Sequence, residues 1–491
     1  MSRRLVRVLE YGLGAAAIGY LAVYVGIALL RIRYPFDLEW MEGALIDHVR
    51  RILDGQPIYA APSLDFIPFL YPPLYYYVSA AVAAVIGIGP VPLRLVSFVC
   101  SLGCFAVIAG LVRRETGSGW AGLVAAGLFA ATYRAGGAWF DLARVDSLFL
   151  LLTLGAVYLI RWGATHRSWA AAGALLALAA LTKQTAIMIA GPLVLYAVVV
   201  DIRRGLVLAA SLAVLFGGAT LALNAATHGW YWDYTFALPL RIQDVGTTQA
   251  AFWTADLFGP VPIATAMALA YLVMRLAQKH RPAVFYAVFT AAFVGSAWAS
   301  RIHAGAYANV LIPAYAALAV VFALAIHDLP GVAAAEHAPA LRTFAAVFGV
   351  TQFALLVYSP SAQVPTSRDL ALQRELLQRI AAADGDVWLP QHGYFPLLAG
   401  KAPHAQGWAI TDINRAGTPD ERQRLFAELH DALASHRFRL IILDRMDDWL
   451  EADLERYYRR QGSVFDRDGL WTVTGYRTRP RWIYVPKTPA N

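Results

Sequence analysis

Acidic and basic side chains are concentrated in four short segments of a chain that is otherwise strongly apolar. Carboxylates act as acids, bases or metal ligands, and arginine and lysine bind anions such as phosphate. Such side chains are costly beside lipid unless they are hydrated, paired or functional. The four segments contain Asp37 and Glu39; Asp141, Arg144 and Asp146; Lys183; and Arg301, His303 and Asn309. These residues are therefore the candidates for chemistry.

The elements that must position these residues are apolar segments. Of the 491 residues, 58% are hydrophobic and 15% are charged, whereas soluble domains are about 25% charged. The apolar residues form blocks of roughly 20, the length that crosses a bilayer. This composition predicts a polytopic membrane protein in contact with the lipid bilayer. The net charge of +8 is spread over loops and indicates membrane orientation rather than nucleic-acid binding.

We predict about eleven transmembrane helices, of which the fifth and sixth are short and therefore expected to be buried among the others. The predicted spans cover residues 9–30, 91–112, 119–138, 147–162, 169–183, 186–201, 205–224, 256–278, 282–299, 307–326 and 341–358.

The placement of arginine predicts the orientation in the membrane, because cytoplasmic loops are enriched in Arg and Lys. The N-terminal arginines precede a long apolar stretch without a cleavage site, so we interpret it as a retained anchor with a cytoplasmic N-terminus. The four charged segments then lie at the external ends of spans, where they can converge on one cavity. The external loops contain few cations, namely Arg134, Arg144, Lys183, Arg241 and Arg301.

The first external loop, residues 31–90, contains two predicted interfacial helices. In the first helix, apolar residues such as Leu45 and Val49 recur at helical spacing, with Glu42 and His48 elsewhere on the helix. This amphipathic pattern predicts a helix that lies along the membrane surface, and Asp37 is a suitable N-cap for it. The second segment, residues 71–87, begins with prolines and an aromatic cluster and is predicted to be partly embedded.

The composition becomes polar after the last predicted span, which divides the chain into a transmembrane domain, 1–359, and a C-terminal domain, 360–491. Helical patterns alternate with strand-like ones there, which predicts a small α/β domain on the periplasmic side. The predicted helices cover residues 367–383, 418–435 and 447–459, and the predicted strands are DVWLP, RLIILD, LWTVTGY and RWIYV. A loop with His392, His404, Trp408 and Asp412 either covers the sheet or forms an acceptor-binding cap over the membrane site.

Each charged candidate also has a purely structural interpretation. Asp146 can cap the fourth span or pair with Arg144. Lys183 can extend from its helix end to the membrane interface. Arg301 can pair with a nearby carboxylate, and a lone histidine such as His303 is more often structural. The recurrence of acids and bases at external helix ends, and hardly inside the spans, favours a shared functional site.

The order and content of these segments resemble the GT-C glycosyltransferases. Within that group, the chain is similar to the bacterial branch related to protein O-mannosyltransferases and aminoarabinose lipid A transferases (glycosyltransferase family 39-like). The resemblance covers roughly residues 1–360 and includes the interfacial helices. Leu38 separates two acids that are often adjacent in the family, and Tyr71 stands where some relatives have lysine. The motifs are Asp37 with Glu39, Arg144 to Ser147, Thr182 with Lys183, and Arg301 followed by Pro313.

This resemblance implies an enzyme that moves a sugar from a polyprenyl-phosphate carrier to an acceptor hydroxyl on a lipid, glycan or protein. The site would face the exterior of the bacterial cytoplasmic membrane. Asp37 would be the base and Glu39 would orient Asp37 or the acceptor, while Arg301, Lys183 and Arg144 would bind the leaving phosphate. His303, Asp146 and Asn309 would contact or orient the substrate. No cofactor is expected; the alternative is a divalent metal held by Asp37, Glu39 and Asp146.

Two other classes of protein remain open from the sequence. A lipid or sugar transporter or flippase would have repeated halves and polar residues near the midplane of the membrane, whereas the charges here lie at external helix ends. A non-catalytic component of an envelope polysaccharide system would not need the acidic and basic segments, all of which are present.

Overall fold

The computed structural model describes residues 3–242, 248–303, 305–332, 338–466 and 468–487, and it is mostly helical. Among the described residues, those up to 355 form helices joined by loops, and the strands lie in the C-terminal region. The helices before residue 356 are α1 Arg3–Ile32, α2 Glu42–Leu53, α3 Leu74–Ile86, α4 Pro90–Thr116, α5 Gly119–Ala131, α6 Asp146–Trp162, α7 His166–Ala180, α8 Ala186–Val200, α9 Ile202–Leu212, α10 Gly218–Ala226, α11 Trp230–Trp232, α12 Leu238–Arg241, α13 Thr248–Ala251, α14 Pro262–Ala277, α15 Arg281–Arg301, α16 Ile312–Val332 and α17 Ala338–Leu355. Three π-helical segments, Ala213–Gly217, Asp233–Ala237 and Phe252–Phe258, and the 3₁₀ segment Ala308–Leu311 connect them.

The helices confirm a polytopic membrane protein. In the described residues, six helices are long and apolar enough to cross a membrane, or seven if the pair that bends by 99° between Phe258 and Pro262 is one span. Each of the eleven predicted spans coincides with a helix or a pair of helices. However, α5 to α8 have only 13 to 17 residues, which is shorter than the roughly 20 residues that cross a bilayer upright.

Local sequence explains why these helices are short. The Ser118 side chain caps α5 by accepting a hydrogen bond from the Ala121 N–H, and Thr165 forms a capping box with Ser168 before α7. The turn between α7 and α8 contains Lys183, whose N–H donates to the carbonyl of Ala179. Because α5 to α8 end early, the polar loops between them reach residues of the neighbouring helices.

The first loop contains α2 and α3, as expected, but α2 is more deeply buried than the predicted surface helix. Glu42 and His48 are buried together with Leu45 and Val49, so the helix packs on both its apolar and part of its polar side. The predicted N-cap is wrong: α2 begins at Glu42 after Met41, and no side chain caps it. The reason is that Glu42 itself accepts the Leu38 N–H at 2.7 Å, which folds the preceding residues back over the helix start.

The C-terminal region is a small mixed sheet with helices, in agreement with the predicted α/β pattern. Its sheet has the order β1-β2-β4-β3, with β1 parallel to β2 and the other pairs antiparallel. In register, Val387 lies opposite Leu440 and Ile442 opposite Ile483. The elements are α18 Ser367–Ala381, β1 Asp386–Trp388, α19 Tyr394–Leu398, α20 Gly407–Ala416, α21 Pro419–Ala434, β2 Phe438–Leu443, α22 Asp448–Tyr457, β3 Tyr458–Ser463 and β4 Trp482–Pro486.

Two predictions in this region are wrong. The helix predicted for 447–459 ends at Tyr457, and the next residues form β3 because they pair with β4. The strand predicted for LWTVTGY is instead an irregular turn, residues 472–478, in which the Thr472 N–H donates to the Thr478 carbonyl at 3.1 Å. Its alternating pattern matches a strand, but the backbone N–H groups of Val473 and Thr474 bind the carbonyl of Leu38 in the first loop.

Candidate active site

The first loop, the helix ends and the C-terminal region enclose a cavity of about 780 Å³. Its membrane-region wall contains Glu39, Arg144 and Lys183, together with apolar residues such as Met188 and Val310. Its opposite wall comes from α20 and the 472–478 turn. That second wall includes Trp408, Asp412, Arg415, Arg445, Gly475, Tyr476 and Arg477. The cavity is therefore shared by the two regions of the chain.

Glu39 is the first-loop carboxylate that borders this cavity. Its Oε2 lies 3.4 Å from Arg144 Nη1 and accepts the Met41 N–H at 3.3 Å. Burial raises the pKa of Glu39 to about 7, although the nearby Arg144 opposes that rise. A carboxyl group with such a pKa exchanges a proton readily near neutral pH, which suits a general base.

Arg144 is held in place by aromatic neighbours as well as by Glu39. Its Nη2 donates to the Tyr71 hydroxyl at 2.9 Å, and its guanidinium lies 5.2 Å from the ring centroid of Trp139. Tyr71 therefore supports the arginine through its hydroxyl group. Arg144 pairs with Glu39, so the alternative in which Asp146 pairs with Arg144 is wrong.

Asp146, Lys183 and Asn309 form a second polar group beside the first. Lys183 Nζ lies 2.7 Å from Asp146 Oδ1, and Asn309 Nδ2 donates to the same oxygen at 3.0 Å. Asp146 is the first residue of α6, Lys183 follows α7 and Asn309 precedes α16. Three segments that are far apart in sequence therefore meet, and Lys183 and Asn309 both line the cavity.

Arg301 and His303 are placed differently from each other. Arg301 Nε lies 2.7 Å from Asp256 Oδ2, so the predicted pairing with a nearby carboxylate is confirmed. Arg301 does not line the cavity, whereas His303 does. His303 Nε2 lies 2.9 Å from the Pro239 carbonyl. The four predicted segments do converge, and the roles in substrate binding remain predictions.

Asp37 faces the C-terminal region rather than the cavity. Its Oδ2 lies 3.4 Å from His392 Nδ1, and His392 Nε2 lies 2.9 Å from Asp444 Oδ2. Burial disfavours the charge on His392, but the carboxylates of Asp444 and Asp37 outweigh burial and raise its pKa to about 10. Asp37 therefore lies beside an imidazolium that links the first loop to the C-terminal region.

The 472–478 turn holds the first loop at Glu39. The Leu38 carbonyl accepts the N–H groups of Val473 at 3.0 Å and Thr474 at 3.3 Å. Gly475 has a φ of +76°, and a Cβ added there would lie 2.5 Å from Glu39 Cγ. Glycine is required at this position because both the backbone conformation and the close approach exclude a side chain.

Two buried ion pairs that sequence analysis did not single out support the same loop. Arg94 forms a two-point pair with Glu42, at 3.0 Å and 2.6 Å, and also donates to first-loop carbonyls such as Phe36. Arg31 pairs with Asp141 at 3.2 Å. The available signal was an arginine near the boundary of an apolar span, since an ionisable residue there requires a partner.

The three carboxylates considered as metal ligands have separate partners. Asp37 faces His392, Glu39 faces Arg144 and Asp146 faces Lys183. Within the described ranges, no group of three or more His, Cys, Asp or Glu side chains is arranged to hold a metal ion. The donor set of Asp37, Glu39 and Asp146 therefore does not fit a shared ion, and we derive no chemistry from one.

Comparison with known proteins agrees with this architecture. The family model of dolichyl-phosphate-mannose-protein mannosyltransferase matches residues 71–232, a segment that includes Arg144, Asp146 and Lys183. No curated protein sequence matches the chain.

Solved structures match over almost the whole length. ArnT from Cupriavidus metallidurans in the apo state has 14% sequence identity and a TM-score of 0.60, and the match covers 96% of this chain and 98% of that one. The same protein bound to undecaprenyl phosphate has 13% identity and a TM-score of 0.59, with the same coverage. The oligosaccharyltransferase AglB from Archaeoglobus fulgidus has 13% identity, a TM-score of 0.49, and coverage of 87% and 69%.

The matches to the two ArnT structures define the fold of the chain. The chain has the fold of a GT-C membrane glycosyltransferase with a small C-terminal sheet, as the sequence predicted. The resemblance to the branch of protein O-mannosyltransferases and aminoarabinose transferases is confirmed by the family match together with the ArnT fold.

Proposed function

We propose that this chain transfers a sugar from a polyprenyl-phosphate-linked donor to an acceptor hydroxyl at the external face of the bacterial cytoplasmic membrane. One observation carries this proposal: a buried carboxyl group, Glu39, borders the same cavity as the cations Arg144 and Lys183. A hydroxyl that attacks an anomeric carbon needs a base, and the phosphate that leaves needs positive charge. The fold match to ArnT bound to undecaprenyl phosphate supports this class of donor.

The proposed reaction is a displacement at the anomeric carbon. The acceptor oxygen forms a bond to that carbon while its proton passes to the carboxylate of Glu39. The bond between the anomeric carbon and the phosphate oxygen breaks, and the polyprenyl phosphate leaves with its electron pair. Lys183 and Arg144 stabilise the charge that develops on the phosphate. Asp146 holds Lys183 in position, and Asn309 in turn donates a hydrogen bond to Asp146.

This proposal assigns the base to Glu39 rather than to Asp37. Asp37 was expected both to cap α2 and, from the family resemblance, to be the base, and the structure shows no such cap. Asp37 also lies beside His392 and does not border the cavity. We therefore propose that Asp37 positions the first loop, while Arg301, paired with Asp256, positions the 301–309 segment.

The donor needs a path for its lipid tail. Apolar side chains of the cavity wall include Met188, which is 46% exposed, and Leu240, which is 66% exposed. Both lie in a chain whose surroundings are lipid, so a polyisoprenyl chain can extend from the cavity along them. The arginine bias of the loops supports an external, periplasmic location of this site and of the C-terminal region.

A lipid-release assay tests the proposed function. Purified protein in proteoliposomes is given a panel of labelled undecaprenyl-phosphate sugars together with a crude cell-envelope extract as the source of acceptors. Release of undecaprenyl phosphate and movement of the donor across the bilayer are both measured. We expect release with at least one donor. Lys183→Met should lower the rate by about 10- to 100-fold, because a charge-assisted contact is worth about 1.5–3 kcal/mol. The exposed Lys279→Met serves as a matched control. Transport without release would contradict the proposal and favour a flippase.

A further inference from the structure

Asp412 is a buried carboxyl group that has no hydrogen-bond partner among the described residues. It is 7% exposed and lines the cavity. No hydrogen bond or ion pair to Asp412 is found in the part of the chain that the structure describes, and its nearest charged influence is Arg415. Burial raises the pKa of Asp412 to about 7, against the opposing effect of Arg415. A carboxyl group in this situation is completed by a ligand that donates a hydrogen bond.

The helix that carries Asp412 presents one continuous face to the cavity. Trp408, Asp412 and Arg415 all line it, and their spacing of four and three residues places them on the same side of α20. The helix is fixed at both ends. Gln406 caps it by accepting the Trp408 N–H at 2.6 Å, and Arg241 donates to the Ala416 carbonyl at 2.9 Å. The face is therefore a formed surface rather than a mobile one.

Aromatic rings line the same cavity as this carboxyl group. The rings of Trp40 and Trp408 lie edge to face with centroids 5.9 Å apart, and the Trp40 and Tyr476 centroids are 5.6 Å apart. Arg415 lies 5.3 Å from the Trp408 ring and Arg445 lies 5.4 Å from the Tyr476 ring. Since these arginines already occupy cation positions over the rings, a cationic ligand would be repelled.

A neutral polyhydroxyl ligand fits this combination of groups. Its hydroxyl hydrogens can be donated to Asp412, and its hydroxyl oxygens can accept from Arg415. The apolar C–H face of a sugar ring can pack against an indole such as Trp408. A sugar ring thus uses the carboxylate, the arginine donors and the aromatic surface together.

We propose that the Trp408–Asp412–Arg415 face of α20 is the acceptor subsite, and that it binds a sugar unit of a glycan acceptor. This inference rests on the proposed transferase function. The acceptor belongs on this side because Glu39, the proposed base, touches Gly475 and its neighbour Trp40 touches Trp408. The polyprenyl-phosphate sugar donor then lies at the membrane-region wall of the cavity, which contains Lys183 and apolar residues such as Met188.

Ligand-observed saturation-transfer NMR tests the proposal. The full chain is placed in nanodiscs, free of sugar detergents, and offered a panel of methyl glycosides and, separately, a serine- and threonine-containing peptide. We expect at least one methyl glycoside to bind wild-type protein. Asp412→Asn and Trp408→Ala should each weaken binding about tenfold or more, as expected for loss of one contact to a charged or aromatic group. The exposed Asp420→Asn should bind normally.

Other outcomes overturn the proposal. These are no glycoside binding to wild-type protein, glycoside binding that survives both substitutions, or binding of the peptide in place of the glycosides. Thermal unfolding of each variant verifies folding, and Trp408→Phe is the second variant if Asp412→Asn does not fold. Glycoside binding without release of undecaprenyl phosphate would refute the transferase, and the face would then be a glycan-binding surface and not an acceptor subsite. Release of undecaprenyl phosphate without glycoside binding would refute only the subsite.

Discussion

The protonation of a single carboxyl group, Glu39, should control the rate of transfer. A base must be ionised before it can accept a proton, and the pKa of Glu39 is raised by burial to about 7. The rate should therefore increase with pH up to about 7 and level off above it. The groups that face Glu39 are Arg144, which lowers its pKa, and Glu42 and Asp37, which raise it.

Arg144→Gln tests this pH dependence directly. Removal of the guanidinium should raise the pKa of Glu39 further, because Arg144 is the main group that opposes the effect of burial. The rising limb of the kcat/KM profile should consequently move to higher pH. The exposed Arg422→Gln should keep the wild-type profile. A flat profile across pH 5 to 8 in the wild-type protein would contradict the assignment of Glu39 as base.

The sequence analysis identified the pair Asp37 and Glu39 and placed the base at Asp37, whereas we propose Glu39 as the base. Both follow the first apolar span, and both are carboxylates. Their environments are decided by residues more than 350 positions away, since His392 pairs with Asp37 and Gly475 packs on Glu39. Local spacing carries no information about such contacts.

At the scale of elements, the 472–478 turn is expected to set the position of Glu39. Gly475→Ala should displace the Glu39 side chain, because the added Cβ would lie 2.5 Å from Cγ. We expect a loss of up to about 100-fold in kcat, the cost of a displacement of about 1 Å. Turnover is measured together with thermal unfolding of the purified variant.

Gly462→Ala is the matched control for this substitution. Gly462 lies in β3, and a Cβ added there meets no atom within 4 Å. Its turnover should equal that of the wild-type protein. If Gly475→Ala also retains wild-type turnover, the turn does not position the base.

The link between Asp37, His392 and Asp444 should stabilise the contact between the first loop and the C-terminal region. His392→Gln leaves two buried carboxylates without their cation, which should cost about 3–5 kcal/mol. The pKa of His392 is raised to about 10, so its stabilising effect is complete below the unfolded pKa of about 6.5 and is lost as pH rises through about 10.

Thermal unfolding measured between pH 6.5 and 10 checks this link. The Tm of the wild-type protein should exceed that of His392→Gln at pH 6.5, and the difference should shrink toward pH 10. The exposed His166→Gln should behave like wild type at every pH. A difference that stays constant or grows with pH would show that His392 is not held as a cation.

The predicted elements failed where the chain makes long-range contacts. The LWTVTGY segment has the alternation of a strand, yet its N–H groups bind the Leu38 carbonyl instead of a neighbouring strand. The segment after Tyr457 continues a helical pattern, yet it pairs with β4. Regular elements whose contacts follow from their own periodicity, such as α18 and α21, were predicted correctly.

At the scale of the whole molecule, apolar span length and charge distribution were enough to predict a polytopic membrane protein with a polar C-terminal region. The convergence of the four charged segments could also be predicted, because each lies at the predicted external end of a span. The contribution of the C-terminal region to the cavity was left open, because the loop with Trp408 and Asp412 was interpreted either as a cover of the sheet or as a cap over the membrane site. The approach of Gly475 to Glu39 carried no signal in the sequence.

The orientation in the membrane is tested by reporter fusions. The arginine bias predicts that a fusion near Gly117 is cytoplasmic and a fusion near residue 400 is periplasmic. Paired alkaline phosphatase and fluorescent-protein fusions distinguish the two compartments. The reverse result would place Glu39 and the cavity on the cytoplasmic side and exclude an external acceptor.

The transfer rate of Glu39→Gln is the most direct test of the central claim, that Glu39 is the base in a cavity shared by both regions. Sugar transfer from the polyprenyl-phosphate donor is measured for Glu39→Gln, Asp37→Asn and the exposed Glu451→Gln, at equal protein levels and with Tm recorded. We expect Glu39→Gln to lose on the order of 10² to 10⁴ in turnover while it still binds undecaprenyl phosphate. Asp37→Asn should lose less, in proportion to its Tm, and Glu451→Gln nothing. Wild-type turnover in Glu39→Gln, with the large loss in Asp37→Asn instead, would contradict the account.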